Sequence, residues 1–363
     1  MSGPADRAWT WREAGPDDYA EQARLFNTCF GKQKSVDTFR WKYAQNPHGP
    51  ALSRVACDAG GHVVGGYSYV PRRFLRDGEA ILLYQASDAM VDPSARRQRI
   101  FTGLDDIACE AAGEQGADWA YAYSGRLSFN GFLRNGWSCI GYAQVLRYRF
   151  RSRRGLARCG RLAPLAQQLA PLLDASYRLR DRRLAAHGAA AAALTPVQRF
   201  DASFDELFQA SAPRTGLVGV RDHAWLNWRY IDTPSRRQQC WALREPGGVG
   251  LRGWLVTECV DGNAYLVDHL ARDEDARATL MAAFTSLAHA HGLHEATAML
   301  CSHHPATPRL LELGWRAPRG RRPFRDVFPW IVRACRGAAP SADLSMERWH
   351  LADGDRDAEH MSA

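Results

Sequence analysis

Residues able to do chemistry are densest at 91–104, VDPSARRQRIFTGL. Arg96, Arg97 and Arg99 stand there between an apolar strand-like segment and a stretch carrying Ile100, Leu104, Ile107, Ala108 and Ala111 at helical spacing. A turn that opens a helix presents unpaired backbone N–H groups and the positive end of the helix dipole, so this one is a candidate anion site. Turns that hold phosphate usually carry glycine. Three guanidinium groups in its place either add charge-assisted hydrogen bonds to a phosphate or form a solvated arginine loop. A second segment of like pattern, VDHLARDEDARATL at 267–280, has Asp273, Glu274 and Asp275 in its turn. Three carboxylates suit a helix start but repel phosphate. The adjacent His303 and His304 have no further ligand at metal-site spacing, so no metal is expected. No Ser-His-Asp arrangement, Walker loop or dinucleotide fingerprint is present.

The elements that must position these residues occur twice in the same order. FRWKYAQNP (39–47) and LNWRYIDTP (226–234) share Trp, a basic residue, Tyr and Pro at the same offsets. Each is followed by a pair of apolar strand-like segments, a helix (about 97–115 and 274–291), a strand (ADWAYAYS, HEATAMLCS) and a short segment ending in Gly-Trp. In the first copy, Trp119, Tyr121 and Tyr123 alternate with Ala120 and Ala122, a bulky face opposite a small one that lets something approach closely. Between the copies, residues 151–197 form a helix-prone connector rich in Arg, Ala and Leu, interrupted by Pro164 and Pro171. The tail from about 336 is small, polar and expected to be disordered.

Composition bounds the rest. A chain of 363 residues with 46% hydrophobic residues has room for two packed domains. The net charge is +8, but only Lys32, Lys34 and Lys42 of its 47 basic residues are lysines, and no basic block is interleaved with aromatics. Nucleic-acid binding is therefore not expected, whereas an acidic or phosphorylated partner fits the charge. Nine cysteines without a Cys-x-x-Cys pair, Cys109, Cys139 and Cys259 among them, read as reduced core thiols. With no signal-like apolar segment and no run long enough to span a bilayer, the expectation is a cytoplasmic protein.

The succession in SDAMVDPSARRQRIFTGL, an apolar strand ending in Val-x-Pro, an arginine turn and a helix, resembles the GNAT-type N-acyltransferase superfamily, and in doubled form the bacterial tandem GNAT proteins. The resemblance implies an α/β (α+β) fold of two GNAT-like domains, each a mixed, mostly antiparallel sheet flanked by helices. On this reading residues 8–150 are the acyltransferase domain, 151–197 the connector, 198–335 a second, degenerate domain and 336–363 the tail. It further implies an acyl-CoA co-substrate, its thioester on the backbone of Ala89, Met90 and Val91. The pyrophosphate would lie on the turn of Arg96, Arg97, Gln98, Arg99, Ile100, Phe101 and Thr102. Arg99 and Phe101 fall where the family has glycine, and Arg99 is expected to keep helical backbone angles with its side chain outward. Ser124, Ser128 and Asn130 would hydrogen-bond the pantetheine or the sulfur.

Asp88, just before the thioester-binding segment, is the implied base; the alternative is a structural role, because Asp268 stands at the matching place downstream. The family's acid position holds Phe132, so either Tyr123 substitutes or the thiolate leaves unassisted. Trp41 and Tyr43 match the acceptor-pocket wall, or pack a core, since both copies keep the pair. The implied activity is acyl-CoA-dependent N-acyl transfer, acetyl favoured, to a small amine, amino sugar or amino acid. The rivals are an acyl carrier protein donor and a catalytically silent acyl-CoA-binding or scaffold protein. Oligomeric state does not follow from the sequence.

Overall fold

The computed structural model describes residues 9–152, 164, 168–185, 194–235, 237–248, 250–320, 322–336 and 345–357. The first half runs β1 (Thr10–Glu13), α1 (Tyr19–Phe30), α2 (Val36–Ala44), β2 (Leu52–Cys57), β3 (Val63–Arg76) and β4 (Glu79–Val91). It continues through α3 (Ile100–Glu114), β5 (Trp119–Tyr123), α4 (Phe129–Arg134) and β6 (Ser138–Arg149). The connector contributes α5 (Ala170–Ala185), where Pro171 falls in the first turn and its missing N–H costs no hydrogen bond. Much of the remaining connector lies outside the described residues.

The second half runs β7 (Leu194–Pro196), α6 (Ala202–Ser211), β8 (Leu217–Gly219), α7 (His223–Leu226) with a π turn over Asn227–Ile231, β9 (Gln238–Arg244) and β10 (Leu251–Val260). Then come β11 (Asn263–Ala271), α8 (Glu274–Ala290), β12 (Glu295–Cys301), α9 (Ala306–Glu312), β13 (Val327–Ala334) and β14 (Trp349–His350).

All strands join one mixed, mostly antiparallel sheet flanked by helices, with the main order β1-β2-β3-β4-β5-β13-β6-β12-β11-β10-β9-β7. The centre of that order shows an exchange. β13, the last long strand of the second half, pairs with β5 through Trp330–Tyr123 to Ala334–Trp119, while β6 of the first half pairs with β12 through Cys301–Ala143 to Glu295–Arg149. Each half is therefore closed by a strand of the other. The division expected at 150 does not separate two self-contained sheets, because the hydrogen bonds of β5 and β12 are completed across it.

The two halves also meet at a stacked pair, Trp41 on Trp228, with ring centroids 4.7 Å apart and planes 18° from parallel. Trp41 Nε1 donates to the Trp228 carbonyl at 2.8 Å and Trp228 Nε1 to the Trp41 carbonyl at 3.0 Å. On the first half, α3 packs Leu104, Ala108 and Ala112 over Tyr67, Tyr69, Ala120 and Ala122; on the second, α8 packs Leu280, Phe284 and Ala288 over Leu255, Leu266 and Ala298. The bulky face of β5 sits on the opposite side, Trp119 and Tyr121 packing with Phe74, Trp330 and Trp349.

Two expectations need correction. Residues 345–357, placed in a disordered tail, are packed: β14 pairs with β8, and Trp349 and Leu351 are fully buried. Large apolar side chains and buried ion pairs outweigh the polar composition of this stretch; the flanking residues 337–344 and 358–363 lie outside the described set. Among the cysteines, Cys109 is buried, but Cys259 is exposed at the end of β10.

Candidate functional site

β4 and β5 run parallel and pair only at Tyr84–Ala120 and Gln85–Tyr121. Beyond that point they part, while β4 keeps β3 on its far side to Val91 and β5 keeps β13 to Tyr123. Each strand thus turns an unpaired backbone edge to the gap. A cavity of about 730 Å³ opens there, walled by Ala89 and Val91 of β4, Tyr123 of β5, Phe101 of α3 and Phe26 of α1. The matching gap in the second half begins where β11 and β12 part, beyond Leu266–Ala298. It is filled by the chain itself: Ala352 bridges to Leu300, and a Cβ added to Gly354 would fall 2.3 Å from the Tyr230 hydroxyl and 2.6 Å from Asp268 Oδ2.

The arginine turn leads into the open gap. After β4, Asp92 caps a short 3-10 turn at Pro93–Ala95 by accepting from the Ser94 amide at 2.9 Å. Arg97 (φ 66°) and Arg99 (φ 60°) then adopt left-handed backbone. Helix α3 begins only at Ile100, with Arg99 as its N-cap, so the expectation of helical angles at Arg99 is corrected: the chain must reverse before the first helical turn. No side chain caps α3, whereas Asp273 caps α8 by accepting from the Ala276 amide at 2.8 Å. The first N–H groups of α3 are left without a side-chain cap, and those of α8 are not.

Around this turn Arg96 reaches the cavity wall, and Arg97, Gln98 and Arg99 are exposed. The Gln98 carbonyl accepts from Trp9 Nε1 at 2.9 Å, and Thr102 Oγ1 donates to the Arg99 carbonyl at 3.1 Å. Met90 and Ile100 bury their side chains in the core, leaving only their backbone for a ligand.

Asp88 lines the cavity but is not poised as a base. Its carboxylate, 4% exposed, accepts from Lys34 Nζ at 2.8 Å, Lys42 Nζ at 3.0 Å and Tyr43 Oη at 2.7 Å. Burial alone would raise its pKa, yet the two ammonium groups outweigh burial and hold it well below the usual carboxylate range. Asp88 sits at a bulge in β4, at φ 48°, and gathers two of the three lysines in the chain, the arrangement of the structural alternative. Asp268 holds the same place in β11, accepting from Tyr230 Oη at 2.8 Å and Arg221 Nε at 3.0 Å.

Trp41 and Tyr43 are likewise corrected. Both are 2% exposed, one stacked on Trp228 and the other bonded to Asp88, so neither forms an open acceptor wall. Tyr123 lines the cavity, packs edge-on against Trp330, and has a buried hydroxyl lacking a hydrogen-bond partner. Burial, with Cys301, Asp353 and Asp355 nearby, holds that phenol protonated. A second unpartnered hydroxyl, Ser87 Oγ, belongs to another residue of the wall. Ser128 lines the cavity; Ser124 is buried with its Oγ 3.2 Å from the Gly125 carbonyl; Asn130 is exposed outside the cavity lining. Phe132 packs edge-on against Phe101 and Trp137.

The residues missed by sequence reasoning are Lys34, Lys42, Ser87 and Asp357. Asp357, on the packed tail, lines the cavity and pairs with Lys42. The confinement of all lysines to 32–42 was the available signal. Among the described residues no group of three metal-ligating side chains occurs, and no helix is long and apolar enough to cross a membrane.

Residues 10–140 match the family model of the acetyltransferase (GNAT) domain. A probable N-acyltransferase from Enterococcus faecalis V583, of unknown function, is similar in structure: TM-score 0.61 at 10% identity, over 90% of this chain and 72% of that one. A GCN5-related N-acetyltransferase from Kribbella flavida aligns at TM-score 0.58 and 15% identity, over 92% and 72% of the two chains. Saccharomyces cerevisiae N-myristoyltransferase, solved with bound myristoyl-CoA, aligns at TM-score 0.59 and 10% identity, over 92% and 80%. No curated protein matches in sequence. At these identities the structural likeness shows the fold.

Proposed function

Because residues 10–140 match the family model of the acetyltransferase (GNAT) domain, we propose that the first half is an acyl-CoA-dependent N-acyltransferase, acetyl favoured, and that the second half is a copy that binds no CoA. The observation that carries this reading is the asymmetry of the two gaps. One is open beside an uncapped helix start flanked by arginines; the other is filled by Ala352–Asp355 beside a helix capped by its own aspartate. The open gap suits an extended pantetheine along the free edge of β4, with the pyrophosphate at Arg96 and the N-terminus of α3.

In the reaction, the lone pair of a neutral acceptor amine forms the C–N bond at the thioester carbonyl, whose oxygen gains charge opposite backbone N–H groups of β4. Collapse breaks the C–S bond. The proton lost by the amine passes to Asp357, the more exposed of the two cavity carboxylates, and then to solvent. Tyr123 holds its proton too tightly to surrender it to a thiolate of ordinary pKa, so it stabilises the leaving sulfur as a hydrogen-bond donor. The acceptor is a small amine, amino sugar or amino acid.

The test is acetyl-CoA turnover over a panel of such amines. Tyr123→Phe is expected to lower kcat by about tenfold to a hundredfold with little change in KM, the loss of one transition-state hydrogen bond. CoA binding without turnover on any amine would instead favour a silent acyl-CoA-binding protein.

A further inference from the structure

A second cationic site lies where β6 joins the sheet of the other half, away from the gap used above. A groove of about 580 Å³ runs between the end of β6, helix α5 and the loop that follows α9. Six arginines converge on it: Arg147, Arg149, Arg180, Arg316, Arg319 and Arg322. Two carboxylates balance them. Glu295 pairs with Arg149 at 2.9 Å and Arg147 at 3.6 Å, and Asp326 pairs with Arg322 at 2.8 Å and Arg147 at 3.6 Å. Arg316 and Arg319 have no ion pair among the described residues, so cationic groups outnumber carboxylates among the described residues of the groove.

Two features separate this cluster from an ordinary solvated face. First, Arg147 and Arg316 sit directly opposite in an antiparallel bridge, each amide bonded to the other's carbonyl at 3.0 and 2.9 Å. Like charges in directly opposed positions destabilise a sheet, and Glu295 and Asp326 offset the Arg147 side of this pair only. Second, the first half has neutralised the matching place. There Arg333 of β13 meets Asp105 at 2.6 Å and Asp106 at 2.7 Å on α3. The tryptophan after each Gly-Trp fixes the correspondence: Trp137 Nε1 donates to Asp105, and Trp315 Nε1 donates to Thr285. The second half thus has Thr285 and Ser286 where the first has two aspartates.

Some members are preorganised. Arg180 lies 3.9 Å over the Tyr148 ring and donates to the Arg149 carbonyl at 2.6 Å. Planar guanidinium forks converging on one groove match the geometry of phosphate oxygens.

We propose that this groove binds a soluble anion bearing clustered phosphates, such as a diphosphate group, independently of the acyl-transfer gap. The test uses the full chain carrying Arg96→Ala and Arg97→Ala, which removes the cationic turn of the first half, and titrates inorganic pyrophosphate calorimetrically. Binding is expected in that background and is expected to weaken at least tenfold when Arg316→Ala and Arg319→Ala are added. Both residues are exposed, so an unchanged circular dichroism spectrum and unfolding midpoint will show that the fold survives. An affinity that ignores Arg316 and Arg319 overturns the proposal. A parallel arm with phosphatidic acid vesicles separates the sources: capture by vesicles that pyrophosphate cannot displace overturns it too, in favour of a lipid surface.

Discussion

At the residue scale, the question raised by the arginine turn becomes one of backbone strain. Arg97, Arg99 and Asp88 are three of the six non-glycine residues with positive φ among the described residues, and all lie within twelve positions of chain that line or lead into the open gap. Left-handed backbone costs a residue with a side chain about 1–2 kcal/mol, and such strain gathers where a ligand needs a particular turn. Arg99→Gly should therefore stabilise the fold by about 0.5–1 kcal/mol, after allowing for the greater freedom of glycine in the unfolded chain, as read from a shift in the urea midpoint. The same variant should bind CoA about threefold to tenfold more weakly, because the turn loses a charged donor. Tighter CoA binding would mean that the Arg99 side chain obstructs the phosphate. The sequence marked this turn by its charge, but it could not reveal the left-handed angles, since glycine, the usual marker, is absent at both positions.

Elements explain what was legible and what was not. The helices, strands and their repetition could be read from periodicity, because each buries one face regardless of the partner. The partners themselves could not. Asp105 on α3 accepts from Tyr67, Tyr69, Asn135, Trp137 and Arg333, a set drawn from β3, the turn between α4 and β6, and β13, and so from both halves. In the same way, Trp41 and Tyr43 were visible as a repeated pair, yet their burial at the interface between halves depends on Trp228 and Asp88. The strand exchange was hidden for the same reason: β6 and β13 have alternating patterns that fit either sheet. It carries a prediction. Residues 9–152 expressed alone lack β13, leaving β5 with an unpaired edge beside Tyr121 and Tyr123. That fragment should be insoluble or oligomeric by size-exclusion chromatography, whereas co-expression with residues 153–363 should recover a soluble one-to-one complex. A soluble, monomeric first fragment would show that β13 is dispensable.

For the whole molecule, the packed tail turns two halves into one cooperative unit. Asp355, with a fully buried side chain, accepts from Arg221 Nη2 at 2.7 Å and lies 3.6 Å from Arg72, so one carboxylate joins residues from both halves. Buried histidines make this unit sensitive to acid. Burial, with Arg72 and Arg73 nearby, lowers His48 to about 2; burial, with Arg277 and Arg221 nearby, lowers His269 to about 3. Both are neutral in the fold and take up protons only on unfolding once pH drops below about 6.5. Their stability contribution is full above that pH and falls as pH drops toward 3, by about 1.4 kcal/mol per unit for each. The urea midpoint should therefore decline steadily from pH 7 to pH 5, and His48→Gln should flatten that decline.

The asymmetry of the two halves is tested most directly by the stoichiometry of CoA binding to the full chain, measured by calorimetry. One CoA per chain is predicted, with affinity lost at least tenfold in the Arg96→Ala, Arg97→Ala double variant and unchanged by Asp273→Ala at the second helix start. Two CoA molecules per chain, or no binding at millimolar CoA, would contradict the account.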